Sequence, residues 1–143
     1  MRGARSAPIS SNVPTSIVID AAAVVELIIR SDRATAVERV IEGASLVAAP
    51  DHLNGETLSA LRRLEFRGLA ENRAAQAVAD LERLPVERVA TLDLLQEAWT
   101  LRKNVTSFDA CYVVLARRLR CPLLTADKRL AQAPNLRIPL IVV

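Results

Sequence analysis

The sequence predicts a single α/β domain whose mainly parallel sheet is covered by helices on both faces. Three observations lead there. Short aliphatic or β-branched runs alternate along the chain with longer amphipathic stretches, as parallel strands with crossover helices require. The 143 residues suit one domain, and no repeat, low-complexity tract or linker divides them. Hydrophobic residues make up 51% of the chain but aromatic residues only 3%, so the core is built from Ala, Val, Leu and Ile.

Each element has its own local signal. Residues 1–15 are polar and small and read as a flexible N-terminal extension, leaving 16–143 as the domain. "SIVID" is a short strand ending at Asp20. "AAAVVELIIR" is a helix with Val24, Leu27 and Ile28 on one face. A second helix covers 33–42 and stops at Gly43. "SLVAAP" is a buried strand closed by Pro50. A longer helix, capped by Asp51 or Asn54, runs to Gly68. Another spans 71–84 and ends before Pro85, and "VERVA" is a short strand. Helices at 92–102 and 108–119 follow, separated by "NVTS". "CPLLTA" is a strand, "DKRLAQA" a short helix stopped by Pro134, and "IPLIVV" the last strand. Trp99 and Tyr112, in helical surroundings, read as core residues rather than base-stacking platforms.

Composition narrows the function. Charged residues make up 24%, which fits neither a disordered chain nor a membrane protein. The apolar stretch after residue 16 is interrupted by Asp20 and Glu26, against a signal peptide or membrane span. Cys111 and Cys121 match no zinc motif and read as reduced thiols of a cytoplasmic protein. The net charge of +3, mostly arginine, suits a nucleic acid or an acidic partner without requiring one.

The acids carry more information. In open parallel sheets ligands bind beyond the carboxyl ends of the strands. Asp20 ends one strand and Asp127 follows another, so two strands deliver carboxylates to one sheet edge. Asp109 and Glu56 stand near helix starts. Each of the four is explicable as helix capping or as an acid in a first turn. If they converge, repulsion matters: two carboxylates about 4 Å apart repel by about 1 kcal/mol in water and about 4 kcal/mol at an effective dielectric of 20. A cation bridging them relieves this, and oxygen ligands without His or Cys favour Mg²⁺ or Mn²⁺. Other chemistries lack their parts. The only histidine is His52, glycines are few and scattered, and Ala22 stands where an Asp-x-Asp phosphatase needs its second acid.

These pieces resemble a known family. "IVIDAAAVVELI", "PDHLNGETLSALRR" and "LRKNVTSFDACYVVLARRLRCPLLTADKRLA" are similar, in order and spacing, to the PIN-domain ribonucleases, and most closely to the VapC toxins of type II toxin–antitoxin pairs. The resemblance implies a PIN-like three-layer α/β/α sandwich. It implies four metal-site acids at Asp20, Glu56, Asp109 and Asp127, with Thr125 supporting them. The implied reaction is Mg²⁺- or Mn²⁺-dependent endonucleolytic cleavage of RNA to a 5′-phosphate and a 3′-hydroxyl. Implied partners are a VapB-type antitoxin, whose C-terminal segment would obstruct the acidic site, and a second copy of the chain. Many relatives carry Ser or Thr where this chain has Ala22, so a hydroxyl near the first acid is missing.

Arginines cluster near the acids. Arg62, Arg63 and Arg67 follow Glu56, Arg117, Arg118 and Arg120 close the helix begun near Asp109, and Lys128 and Arg129 follow Asp127. Arg62, Arg63, Arg117 and Lys128 are candidate RNA contacts, against the plainer reading of a solvated helix face. A catalytically weak PIN-like module that binds antitoxin or RNA is the alternative that Ala22 keeps open. A phospho-accepting receiver is disfavoured, because no acid follows "SLVAA".

Overall fold

The computed structural model describes residues 15–143, so the expected flexible extension lies, apart from Thr15, outside the described residues. Strands β1 (Ser16–Ile19), β2 (Leu46–Pro50), β3 (Glu87–Val89), β4 (Leu123–Thr125) and β5 (Leu140–Val142) form one parallel sheet in the order β3-β2-β1-β4-β5. The helices are α1 (Ala21–Ile28), α2 (Ala34–Glu42), α3 (Leu53–Phe66), α4 (Glu71–Arg83), α5 (Leu95–Thr100), α6 (Ser107–Leu119) and α7 (Lys128–Ala131). They flank the sheet as a PIN-like α/β/α sandwich: α1, α2, α3 and α4 pack on one another, while α6 lies across β1, β2 and β4 with α5 against it.

The strands are buried because both faces are covered. Val18, Ile19, Ala49, Leu123 and Leu124 have essentially no exposure. Helix α6 is buried from Ala110 to Ala116, which is why its sequence reads as nearly continuous apolar residues rather than a stripe. Cys111 and Cys121 are buried free thiols. Among the described residues no helix is long and apolar enough to cross a membrane.

Four expectations need correction. The helix expected at 92–102 splits into a 3-10 turn at Leu92–Leu94 and the short α5. Trp99 is not a core residue but 64% exposed, because this segment is apolar on two sides. Leu94, Ala98 and Leu101 face the core, and Leu92, Leu95 and Trp99 form a second stripe outside. Neither Asp51 nor Asn54 caps α3. The Asp51 N–H extends the sheet by donating to Val89 O (2.8 Å), and Asn54 Oδ1 accepts from Arg88 Nε (3.2 Å). The last strand is shorter than "IPLIVV", occupying only Leu140–Val142.

Helix α6 ends on Arg120 in the left-handed conformation (φ 53°, ψ 48°), where its N–H bonds Ala116 O and Arg117 O. A side chain with a Cβ is strained there by about 1–2 kcal/mol, and glycine is not. Arg120→Gly is therefore expected to raise stability by about 1 kcal/mol, read as a higher urea midpoint at unchanged slope. A lower midpoint would contradict this account of the helix end.

Candidate active site

The sheet order sets the site. From β1 the chain winds outward to β2 and β3, then returns to lay β4 and β5 on the other side of β1. β1 and β4 are therefore neighbours at the point where the winding reverses, and a crevice opens beyond their carboxyl ends. Asp20 directly follows β1 and Asp127 lies just past β4. A cavity of about 490 Å³ at this edge is lined by Asp20, Glu56, Asp109 and Asp127 together. Residues far apart in the chain thus share one acidic hollow.

Asp20 is 3% exposed, and its carboxylate is held on both oxygens. Oδ1 accepts the Ala23 N–H at the start of α1 (2.8 Å), and Oδ2 accepts the Thr125 hydroxyl. Its own N–H donates to Leu124 O (3.1 Å), locking it to the neighbouring strand. Burial pushes its pKa up to about 7, against the lowering effect of Thr125 and Ala23, and Asp109 and Asp127 add repulsion. Thr125 links two acids, since its oxygen also accepts the Asp127 N–H (2.9 Å). Ala22 lines the cavity with a methyl group, but Thr125 brings a hydroxyl to Asp20 from the adjacent strand.

Asp127 Oδ1 accepts the Arg129 N–H (2.9 Å) at the start of α7. Asp109 lies in the first turn of α6, which Thr106 caps by accepting the Asp109 N–H (3.3 Å). The Asp109 carboxyl is raised above its ordinary range by burial; the Thr106 hydroxyl lowers it, and Asp127 and Glu56 raise it. The capping reading of the sequence is thus correct for Asp20 and Asp127, and the same residues face the cavity.

Glu56 is positioned by residues that the sequence did not single out for this purpose. Tyr112, on α6, donates its hydroxyl to Glu56 Oε1 (2.8 Å). His52 Nδ1 lies 3.0 Å from the same oxygen, though poorly aligned for a hydrogen bond. The His52 ring packs against Phe108 and, edge-on, against Tyr112 (centroids 4.8 and 4.9 Å). Tyr112 is a core residue as expected, but its hydroxyl reaches out of the core to the acid. No sequence spacing joins positions 56 and 112; they meet only where the start of α3 approaches α6.

The basic residues separate into two groups. Arg63, Arg67 and Arg129 line the acidic cavity. Arg62 and Lys128 do not; the Arg62 guanidinium stacks over Phe66 (4.8 Å). Arg117, expected as an RNA contact, is committed elsewhere. Its Nε and Nη2 donate to Leu136 O (2.9 Å) and Asn135 O (3.0 Å), tying α6 to the loop before β5.

Among the described residues neither Lys nor Arg forms an ion pair with Asp20, Asp109 or Asp127. Among them, too, no three His, Cys, Asp or Glu side chains close tightly enough to hold an ion unaided. The carboxylates share the cavity but are each tied to their own partners. As a donor set they fit a hard divalent cation: oxygen only, crowded and without a paired protein cation.

Because the folded state holds the Asp20 proton more tightly than the unfolded chain, its contribution to stability is complete below pH 3.8 and is lost as pH rises through about 7. At about 1.4 kcal/mol per pKa unit the loss is on the order of 4 kcal/mol. In EDTA, denaturant titrations are expected to show wild-type stability falling from pH 4 to pH 7.5 relative to Asp20→Asn. Parallel profiles for the two proteins would refute the shift.

Comparison with known proteins identifies the family. The family model of the PIN domain matches residues 17–136. The chain is 40% identical over 131 residues to Ribonuclease VapC3 of Mycobacterium tuberculosis, covering 90% of this chain and 93% of that protein. It superimposes on the crystal structure of Mycobacterium tuberculosis VapC20, described as a Sarcin-Ricin loop cleaving toxin, with a TM-score of 0.63 at 20% identity, over 80% of this chain and 92% of that one. It also superimposes on VapBC-5 of Mycobacterium tuberculosis, a member of the VapBC toxin–antitoxin family, with a TM-score of 0.55 at 21% identity, over 91% and 98% of the two chains. The chain belongs to the PIN-domain family and, within it, to the VapC ribonucleases.

Proposed function

We propose that this protein is the toxin of a type II toxin–antitoxin pair, an endoribonuclease that cleaves RNA with Mg²⁺ or Mn²⁺ and is neutralised by a VapB-type antitoxin. The observation that carries the reading is the shared cavity: Asp20, Glu56, Asp109 and Asp127 line it without a Lys or Arg ion pair among the described residues. Asp20, Asp109 and Asp127 offer the oxygens that hold the ion, directly or through water. Glu56, steadied by Tyr112, orients the attacking water or holds a second ion. A bound divalent ion lowers the pKa of a water and stabilises charge on the phosphate oxygens. Arg63, Arg67 and Arg129 attract the phosphate backbone, which the acids alone would repel. The products are a 5′-phosphate and a 3′-hydroxyl.

The antitoxin reading draws on kinship with VapC3 and on the likeness to VapBC-5. The exposed stripe of Leu92, Leu95 and Trp99 supports burial against a partner, a second copy of the chain included. Such a pair would work in the cytoplasm. The binding-only alternative rested on Ala22, and the Thr125 hydroxyl on Asp20 leaves less need for one at position 22.

Incubation with total cellular RNA tests the proposal. Cleavage is expected in Mg²⁺ or Mn²⁺ and not in EDTA. Asp20→Asn and Asp127→Asn should each slow it by about a hundredfold or more, the several kcal/mol that a metal site contributes. Cleavage that persists in EDTA, or at full rate in both variants, would overturn it.

A further inference from the structure

The acidic cavity does not end at Asp109 and Asp127. A second cavity, of about 450 Å³, continues from it and shares Thr106, Asp109, Asp127 and Arg129. Its far side is formed by Arg102, Lys103 and Asn104, from the turn that joins α5 to α6. The two hollows adjoin at Asp109 and Asp127; Arg63 and Arg67 line only the first, and Arg102 and Lys103 only the second.

The turn is a built shelf. Asn104 N donates to Leu101 O (2.8 Å) and Val105 N to the same oxygen (3.1 Å). Asn104 Nδ2 reaches Pro134 O (3.4 Å), tying the shelf to the segment after α7. The Arg102 guanidinium is stacked over Trp99 (4.7 Å) and donates to Trp99 O (3.0 Å), so its charge is held rather than swinging free. Lys103 is exposed and takes part in no ion pair among the described residues.

A polyanion crossing an acidic centre is repelled there unless cations hold it on both sides. We propose that the second cavity is a subsite for the single-stranded RNA flanking the cleaved phosphate, with Lys103 and Arg102 contacting its backbone. The inference rests on the nuclease reading above and adds the strand's path to it. Basic grooves that track a single-stranded backbone bind it with strong salt dependence and little sequence preference.

Lys103 gives the cleanest test, because it lies exposed on a turn and its substitution leaves the core intact. The probe is a fluorescein-labelled single-stranded RNA 20-mer, titrated in increasing KCl with Asp20→Asn protein so that it is bound but not cut. Lys103→Ala is expected to weaken binding roughly three- to tenfold at low salt and to reduce the slope of log affinity against log salt by about 0.7, one phosphate contact. Lys103→Glu should weaken it further and Lys103→Arg restore it. In the active protein the Lys103→Ala defect should appear at limiting RNA and fade at saturation, a KM effect. If wild type binds and cleaves RNA while Lys103→Ala and Lys103→Glu keep its affinity and salt slope, the subsite is wrong and the nuclease reading stands. If wild type neither binds nor cleaves RNA, both fall.

Discussion

The site depends on one carboxylate kept in a place where a carboxylate is costly. Asp20 is buried at the end of a central parallel strand, and its two oxygens are satisfied by the Ala23 N–H and the Thr125 hydroxyl. Those donors exist because β1 and β4 are neighbours, a consequence of the strand order. Thr125 then passes the constraint on by accepting the Asp127 N–H. A single hydroxyl thus sets the relation between two acids that are distant in the chain. Without the β1–β4 pairing, the same residues would be unrelated helix caps.

Helix chemistry and site chemistry are one device here. Asp20 and Asp127 cap α1 and α7, and Asp109 and Glu56 lie in the first turns of α6 and α3. Each helix start places backbone N–H groups and the positive end of a dipole near its carboxylate, worth about 0.3–1 kcal/mol in an exposed setting. Four helix starts directed at one hollow offset part of the mutual repulsion of the acids. They do not remove it, since both Asp20 and Asp109 remain above the ordinary carboxylate range. That residual cost is what the proposed cation would relieve, and Arg63, Arg67 and Arg129 line the same cavity without pairing with the acids.

Much of this was legible in the chain. Five aliphatic strands and the amphipathic helices between them follow from local pattern, and two acids at strand ends follow from the chemistry of parallel sheets. What could not be read depends on contacts between distant segments. Tyr112 looked like packing because its apolar ring is packing; only the approach of the start of α3 to α6 reveals that its hydroxyl meets Glu56. Trp99 looked like core because α5 is apolar on two faces, and periodicity does not say which one the sheet covers. Arg117 looked like a free cation because the carbonyls that engage it belong to a loop after α7. Lys103 carried no signal at all, since a lone lysine in a turn is ordinary until the cavity beside it is seen.

On the buried Asp20 carboxyl, shared between β1 and β4, a proton and the proposed cation would compete for the same oxygens. Calorimetric titration of the protein with Mn²⁺, repeated at pH 6.5 in buffers of different ionisation enthalpy, measures this directly. Binding of the ion at Asp20 is expected to release a substantial fraction of one proton per protein, shrinking toward zero by pH 8.5 as the group with a pKa of about 7 ionises unaided. Tight binding with no proton release at either pH would contradict it.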